Sequence, residues 1–298
     1  MGQIQRAYHM DVSNSIDVTD TAVVAAVSED ILCRGYPQLD RAALARLFAD
    51  FHRLYRGNYP GFHPCDVAYH NQQHVLDVTL AMARLLDGYH LRHGSSGMLS
   101  AEMALTGMAA ALFHDAGYIR RLRDSRHSNG AAYTRVHVSR SARFLRDYLP
   151  DAGLARLSPA CARIVHFTGY ELSVDNIRVA SDAERLVGML LGTADLIAQM
   201  ADIDYVRKCR DDLYEEFVVG GMAGLNGHYT HTGTIYRSPE QLLKMTPTFI
   251  RTAIHDRLDG HFEGVHRYAA AHFDGQHLYM DAIVDNCERL ESLLAASR

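Results

Sequence analysis

The run Tyr69-His70-Asn71-Gln72-Gln73-His74-Val75-Leu76-Asp77-Val78, the dipeptide His114-Asp115 and Asp195 within a later apolar segment hold the side chains best suited to chemistry. Histidines four positions apart share one helical face, so the spacing predicts that His70 and His74 enter one pocket with Asp77 a turn beyond. Imidazole and carboxylate together suit zinc, iron, manganese or magnesium rather than copper(I) or a cluster. An ion of that kind with open positions lowers the pKa of bound water toward ~7 and so makes a nucleophile at neutral pH. Metal-assisted hydrolysis is the chemistry these residue types predict.

The elements that must position them read as helices. Apolar residues recur at three and four over many windows, and strand-like alternation is scarce. Asp40 is a cap for a helix through Leu44, Leu47, Phe48, Phe51 and Leu54, and a turn-rich connector with Pro60, Gly61 and Pro64 leads to Tyr69. Val75, Val78, Met82 and Leu85 mark a core-facing stripe that Gly88 would end. Ser100 caps a helix filled by Met108, Leu112 and Phe113, with His114-Asp115 at its end and Gly117 stopping it. Further helices are expected over 133–148, from Ser158-Pro159 through His166, from Ser181 with Glu184 at capping-box spacing through Asp195, over 205–217, and two or three from Pro239 onward. His228 and His231 close a glycine-rich loop. The expectation is an all-α helical bundle with a metal site in its centre: a loosely held arm over 1–20, then a single catalytic domain over 21–298.

The order of these residues resembles the HD-domain metallohydrolase superfamily and, within it, the catalytic domain of class I cyclic-nucleotide phosphodiesterases. Every fixed position of the signature Tyr-His-Asn-x-x-His-x-x-Asp-Val is met between Tyr69 and Val78. The resemblance implies two divalent metal ions, with His74, His114, Asp115 and Asp195 on the first and Asp115 bridging to the second. It implies His70 as the general acid that protonates the departing ester oxygen, and Asp77 as a hydrogen-bonding support of the metal-binding helix. The likeness stops short of a histidine at the place of Tyr118, of a serine-asparagine-proline run after Asp195, and of the late glutamine and phenylalanine that grip a purine. In their stead His137 and His166 fall in the order in which other branches of the superfamily supply a second metal site; for both, ligand and structural readings stand open. Gln199, Thr193 and Phe249 are pocket residues or ordinary packing.

Composition narrows the partners. The chain of 298 residues is 48% hydrophobic and 22% charged with a formal net charge of −5, the make-up of a soluble globular protein without a basic stripe for long nucleic acid. Its five cysteines include no Cys-x-x-Cys pair, which predicts reduced thiols and a cytoplasmic protein. The longest apolar stretch, 186–200, is too short to span a bilayer. The run from Arg120 to Arg126 is a solvated face or a cationic loop at the mouth of the metal site. A small phosphoester or nucleotide is the expected substrate, with a homodimer left open. The alternatives are a di-iron oxygenase with the same ligand order and a catalytically silent sensory module.

Overall fold

The structure, a computed structural model, describes residues 6–224 and 236–296. His228 and His231 lie outside the described residues. Among those residues the regular elements are helices, with isolated bridges and no strand ladder, so the all-α expectation holds.

Side-chain caps open most of the long helices. Asp20 accepts from the Ala22 N–H at 2.8 Å to start α1 (Thr21–Gly35), and Asp40 from the Ala43 N–H at 2.9 Å to start α2 (Arg41–Tyr55). Asn71 accepts from the His74 N–H at 3.2 Å at the head of α3 (Gln72–His93), and Ser100 from the Met103 N–H at 3.2 Å at the head of α4 (Ala101–Phe113). Next come α5 (His137–Asp151) and α6 (Ser158–Ile164), then α7 (Asp182–Ala201), whose cap Ser181 accepts from the Glu184 N–H at 3.2 Å. A π turn (Cys209–Leu213) joins α8 (Tyr205–Lys208) to α9 (Tyr214–Val219). The chain ends in α10 (Pro239–Thr252), α11 (Arg267–His272) and α12 (Leu278–Ala296).

At the centre, α3 departs from the one-stripe reading. It is buried on nearly every side between His74 and Tyr89, because α1, α4, α7 and α11 all pack against it, and a helix so surrounded has no solvated face to reveal its period. Gly88 does not end it. A Cβ there would stand 1.7 Å from the Tyr268 carbonyl oxygen, so the glycine lets the backbone of α11 touch α3, and the helix runs on to His93. Two of the charges that α3 buries are matched: Arg84 donates to the Asp11 carboxylate at 2.5 Å and to the Tyr279 hydroxyl oxygen at 2.9 Å, while His272 and Asp87 meet at 2.6 Å.

The same pairing ties down the described part of the arm, residues 6–20. Asp11 is 1% exposed and also accepts from the Ser15 and Ile16 N–H groups at 2.9 and 2.8 Å, while Val18 is 2% exposed in the core. The polarity of this segment reflects a turn folded around one carboxylate whose charge Arg84 matches from the body. One continuous apolar cluster then runs from Val18 to Ile283. The five cysteines are unpaired. Among the described residues no single helix is long and apolar enough to cross a membrane.

Candidate metal centre

Three helices deliver one convergent set of atoms. The cap at Asn71 fixes the first turn of α3 and with it His74; His114 and Asp115 follow the last turn of α4; Asp195 projects from the middle of α7, which packs on both. His74 Nε2 lies 3.4 Å from Asp115 Oδ2 and 3.4 Å from Asp195 Oδ1, and His114 Nε2 lies 3.2 and 3.8 Å from the same two oxygens. Ligand atoms about 2.1 Å from one ion stand about 3.0–3.4 Å apart around an octahedron or tetrahedron, so three of the four spacings are those of a coordination shell and the fourth, His114 to Asp195, is wider. His74 Nε2, His114 Nε2 and Asp115 Oδ2 are sealed from solvent without a hydrogen-bond partner, a costly state unless a cation meets them. His114 Nδ1 donates to the Ala111 carbonyl oxygen at 2.8 Å, which leaves the Nε2 lone pair free to coordinate. Burial disfavours an imidazolium at His74, yet Asp115 and Asp195 push its pKa up to about 10; the two carboxylates call for positive charge. His74, His114 and Asp115 could hold a divalent ion, with Asp195 beside them.

Beside this cluster the other Asp115 oxygen, Oδ1, faces His137 Nε2 at 3.7 Å. A glycine makes that approach possible: a Cβ on Gly117 would stand 1.8 Å from the His137 carbonyl oxygen, so the loop after Asp115 lies directly on the start of α5. His137 Nδ1 donates to the Thr134 carbonyl oxygen at 2.7 Å and points its Nε2 inward.

His70 also joins the site, by a route its spacing did not predict. It precedes the cap and is not helical, yet its ring centroid is 5.7 Å from that of His74. Glu216 holds it there. The 3% exposed carboxylate accepts from His70 Nδ1 at 2.5 Å and from the Tyr69 and His70 backbone N–H groups at 2.5 and 3.2 Å. Tyr118 is the second residue that sequence reasoning missed in this role: its ring stacks between His70 and His137, 4.5 Å from each. Burial, with Asp115 and Glu216 nearby, holds the phenol well above its usual pKa and so neutral.

Other expectations are corrected. His166 is not brought to the centre: α6 stops at Ile164, and the histidine sits in the following turn, away from the cavity wall and nearest in charge to Glu171 and Arg146. Asp77 points away as well, toward the arm, where it shares a crevice with Arg6, Asp202 and Tyr279; its Oδ1 is buried without a partner. Burial, then Asp202 and Asp11, push its pKa up from 3.8 to about 7. A carboxyl whose folded pKa is raised adds no penalty below the unfolded value and weakens the fold as pH climbs from about 4 to 7, here by about 2 kcal/mol after solvent relaxation. Asp77→Asn is therefore expected to unfold like the parent at pH 4 and at higher urea than the parent at pH 8; identical midpoints at pH 8 would contradict this. Thr193 is fully buried packing, whereas Gln199 and Phe249 do line the cavity.

That cavity is about 530 Å³, with His70, Asp115, His137 and Asp195 on its floor and Tyr170, Phe217, Tyr236 and Phe249 on its walls. Its size and its apolar walls over a polar floor suit a small molecule.

No family model and no curated protein matches the chain. Two solved structures resemble it over nearly their whole lengths. One is the phosphodiesterase domain of the RhoPDE fusion protein from the choanoflagellate Salpingoeca rosetta, with TM-score 0.59 and 16% identity over 98% of this chain and 96% of that one. The other is the phosphodiesterase domain of Salpingoeca rosetta rhodopsin phosphodiesterase, with TM-score 0.56 and 15% identity over 98% and 92%. The chain has the helical fold of these phosphodiesterase domains.

Proposed function

We propose that the protein is a metal-dependent phosphodiesterase or phosphohydrolase acting on a nucleotide, cyclic or not, or on another small phosphoester. The observation that carries this reading is the convergence of His74, His114, Asp115 and Asp195, three of their four spacings those of a coordination shell, beside His70. An ion held by these four would supply Lewis acidity and lower the pKa of a water molecule. Asp115, whose second oxygen lies 3.7 Å from His137 Nε2, would be shared with a second ion that His137 would help to hold. His70, with Nδ1 committed to Glu216, has Nε2 left to give a proton to the departing oxygen. Tyr118 keeps the His70 ring flat against it, and the walls of the cavity exclude water from the bound ester. The fold likeness to phosphodiesterase domains supports the same reaction class.

The test is turnover of a panel of phosphomonoesters, phosphodiesters and cyclic nucleotides by protein loaded in turn with zinc, iron, manganese and magnesium. Hydrolysis is expected that a chelator abolishes and one of these ions restores. Metal-loaded protein that turns over no ester in the panel would overturn the proposal, and substrate-dependent oxygen uptake by the iron form would assign the oxygenase chemistry instead.

A further inference from the structure

The arginine-rich run does not open onto the metal centre. Residues 116–119 form a thin wall: Tyr118 faces His70 and His137, whereas Ala116, Gly117 and Ile119 line a separate pocket of about 650 Å³ behind it. Around that pocket stand five arginines, Arg121, Arg123, Arg126, Arg140 and Arg143, against two carboxylates, Asp124 and Asp147. The chain as a whole is acidic, so this concentration of positive charge is local. Asp124 pairs with Arg126 at 3.2 Å and Asp147 with Arg121 at 3.0 Å. Arg123 and Arg143 have no carboxylate partner among the described residues. Arg140 binds the wall itself, donating through Nε to the Gly117 carbonyl oxygen at 2.6 Å and through a terminal nitrogen to the Ile119 carbonyl oxygen at 3.3 Å.

We propose that this pocket is a second binding site, distinct from the metal centre, for a soluble anion carrying two or more phosphates, and that its occupancy stiffens the wall that holds Tyr118. An excess of three guanidinium charges over carboxylates in one recess is poorly matched to a single carboxylate ligand. Planar guanidinium forks meet phosphate oxygens in pairs, and the volume admits a di- or triphosphate with room for a nucleoside-sized body. The exposed Arg121–Asp147 pair is weak enough to be exchanged for a phosphate. Because Arg140 already grips two carbonyl oxygens of the wall, an anion that orders its guanidinium also orders those carbonyls.

Titration calorimetry with inorganic tripolyphosphate at constant ionic strength tests the site. Arg123 and Arg143 are exposed, so Arg123→Ala/Arg143→Ala removes two donors without emptying a core. The double variant is expected to bind about a hundredfold more weakly, with metal content unchanged, whereas Asp115→Asn keeps the parent affinity. Amide exchange over 116–119 is expected to slow on binding in the parent and not in the double variant. Three results would overturn the proposal: no binding by the parent, equal binding by the double variant, or an affinity lost with Asp115→Asn, which would put the anion on the metal centre. Exchange over 116–119 that ignores saturating anion would overturn its coupling to the wall. The binding arm does not depend on the proposed hydrolysis, so either can fail alone.

Discussion

Asp115→Asn is expected to strip the centre of metal and to lower kcat/KM by about 10⁴-fold, roughly 5.5 kcal/mol of transition-state stabilisation. Asp115 turns its two oxygens to different histidines of the centre, Oδ2 toward His74 and His114 and Oδ1 toward His137. The amide keeps the volume and one oxygen but loses the charge that an ion in a 2% exposed position needs to offset its lost hydration. Asp195 alone cannot replace it, because its Oδ1 lies 3.8 Å from His114 Nε2, beyond hydrogen-bonding range. Metal analysis of the purified variant, with circular dichroism to show the helices intact, decides the matter. Full occupancy would remove Asp115 from the ligand set, and full activity without metal would remove the metal from the reaction.

How much of this could be read from the chain depended on how local each feature is. The caps at Asp40, Ser100 and Ser181 are decided within four residues, and all three start helices where expected. His114-Asp115 at the end of α4 and Asp195 within α7 were legible because a polar ligand in an apolar helix breaks its pattern visibly. His70 reached the site although its predicted helical register was wrong, since the turn that Asn71 caps brings it beside His74 in another way. Glu216 gave no such signal: it sits among Tyr214, Glu215 and Phe217 in an ordinary amphipathic stretch, and its partner lies 146 residues earlier. The π turn before α9 shifts the face that those residues present, a register change no periodicity announces. Gly88 and Asp77 were misread for one common reason. Their neighbours, α11 for the first and the N-terminal arm for the second, come from remote parts of the chain.

His70→Ala is expected to leave metal content unchanged and to lower kcat about 10²–10⁴-fold, the range of a lost general acid. Loss of activity by itself would not separate proton donation from a structural part, because His70 also supports the Tyr118 stack. The leaving group makes the distinction. An ester whose departing oxygen is already a weak base, such as a p-nitrophenyl phosphoester, needs no proton as its bond breaks, so its turnover should fall far less than that of an alkyl ester. A structural defect would slow both equally, and that outcome would sink the acid assignment. Glu216→Gln supplies the graded case. The amide oxygen can still accept from the two backbone N–H groups, but the amide NH2 then faces His70 Nδ1 and no charge stabilises an imidazolium. Its kcat should drop by about tenfold, with the same bias toward poor leaving groups and little change in KM, since His70 acts on the bond being broken and not on the ester as bound.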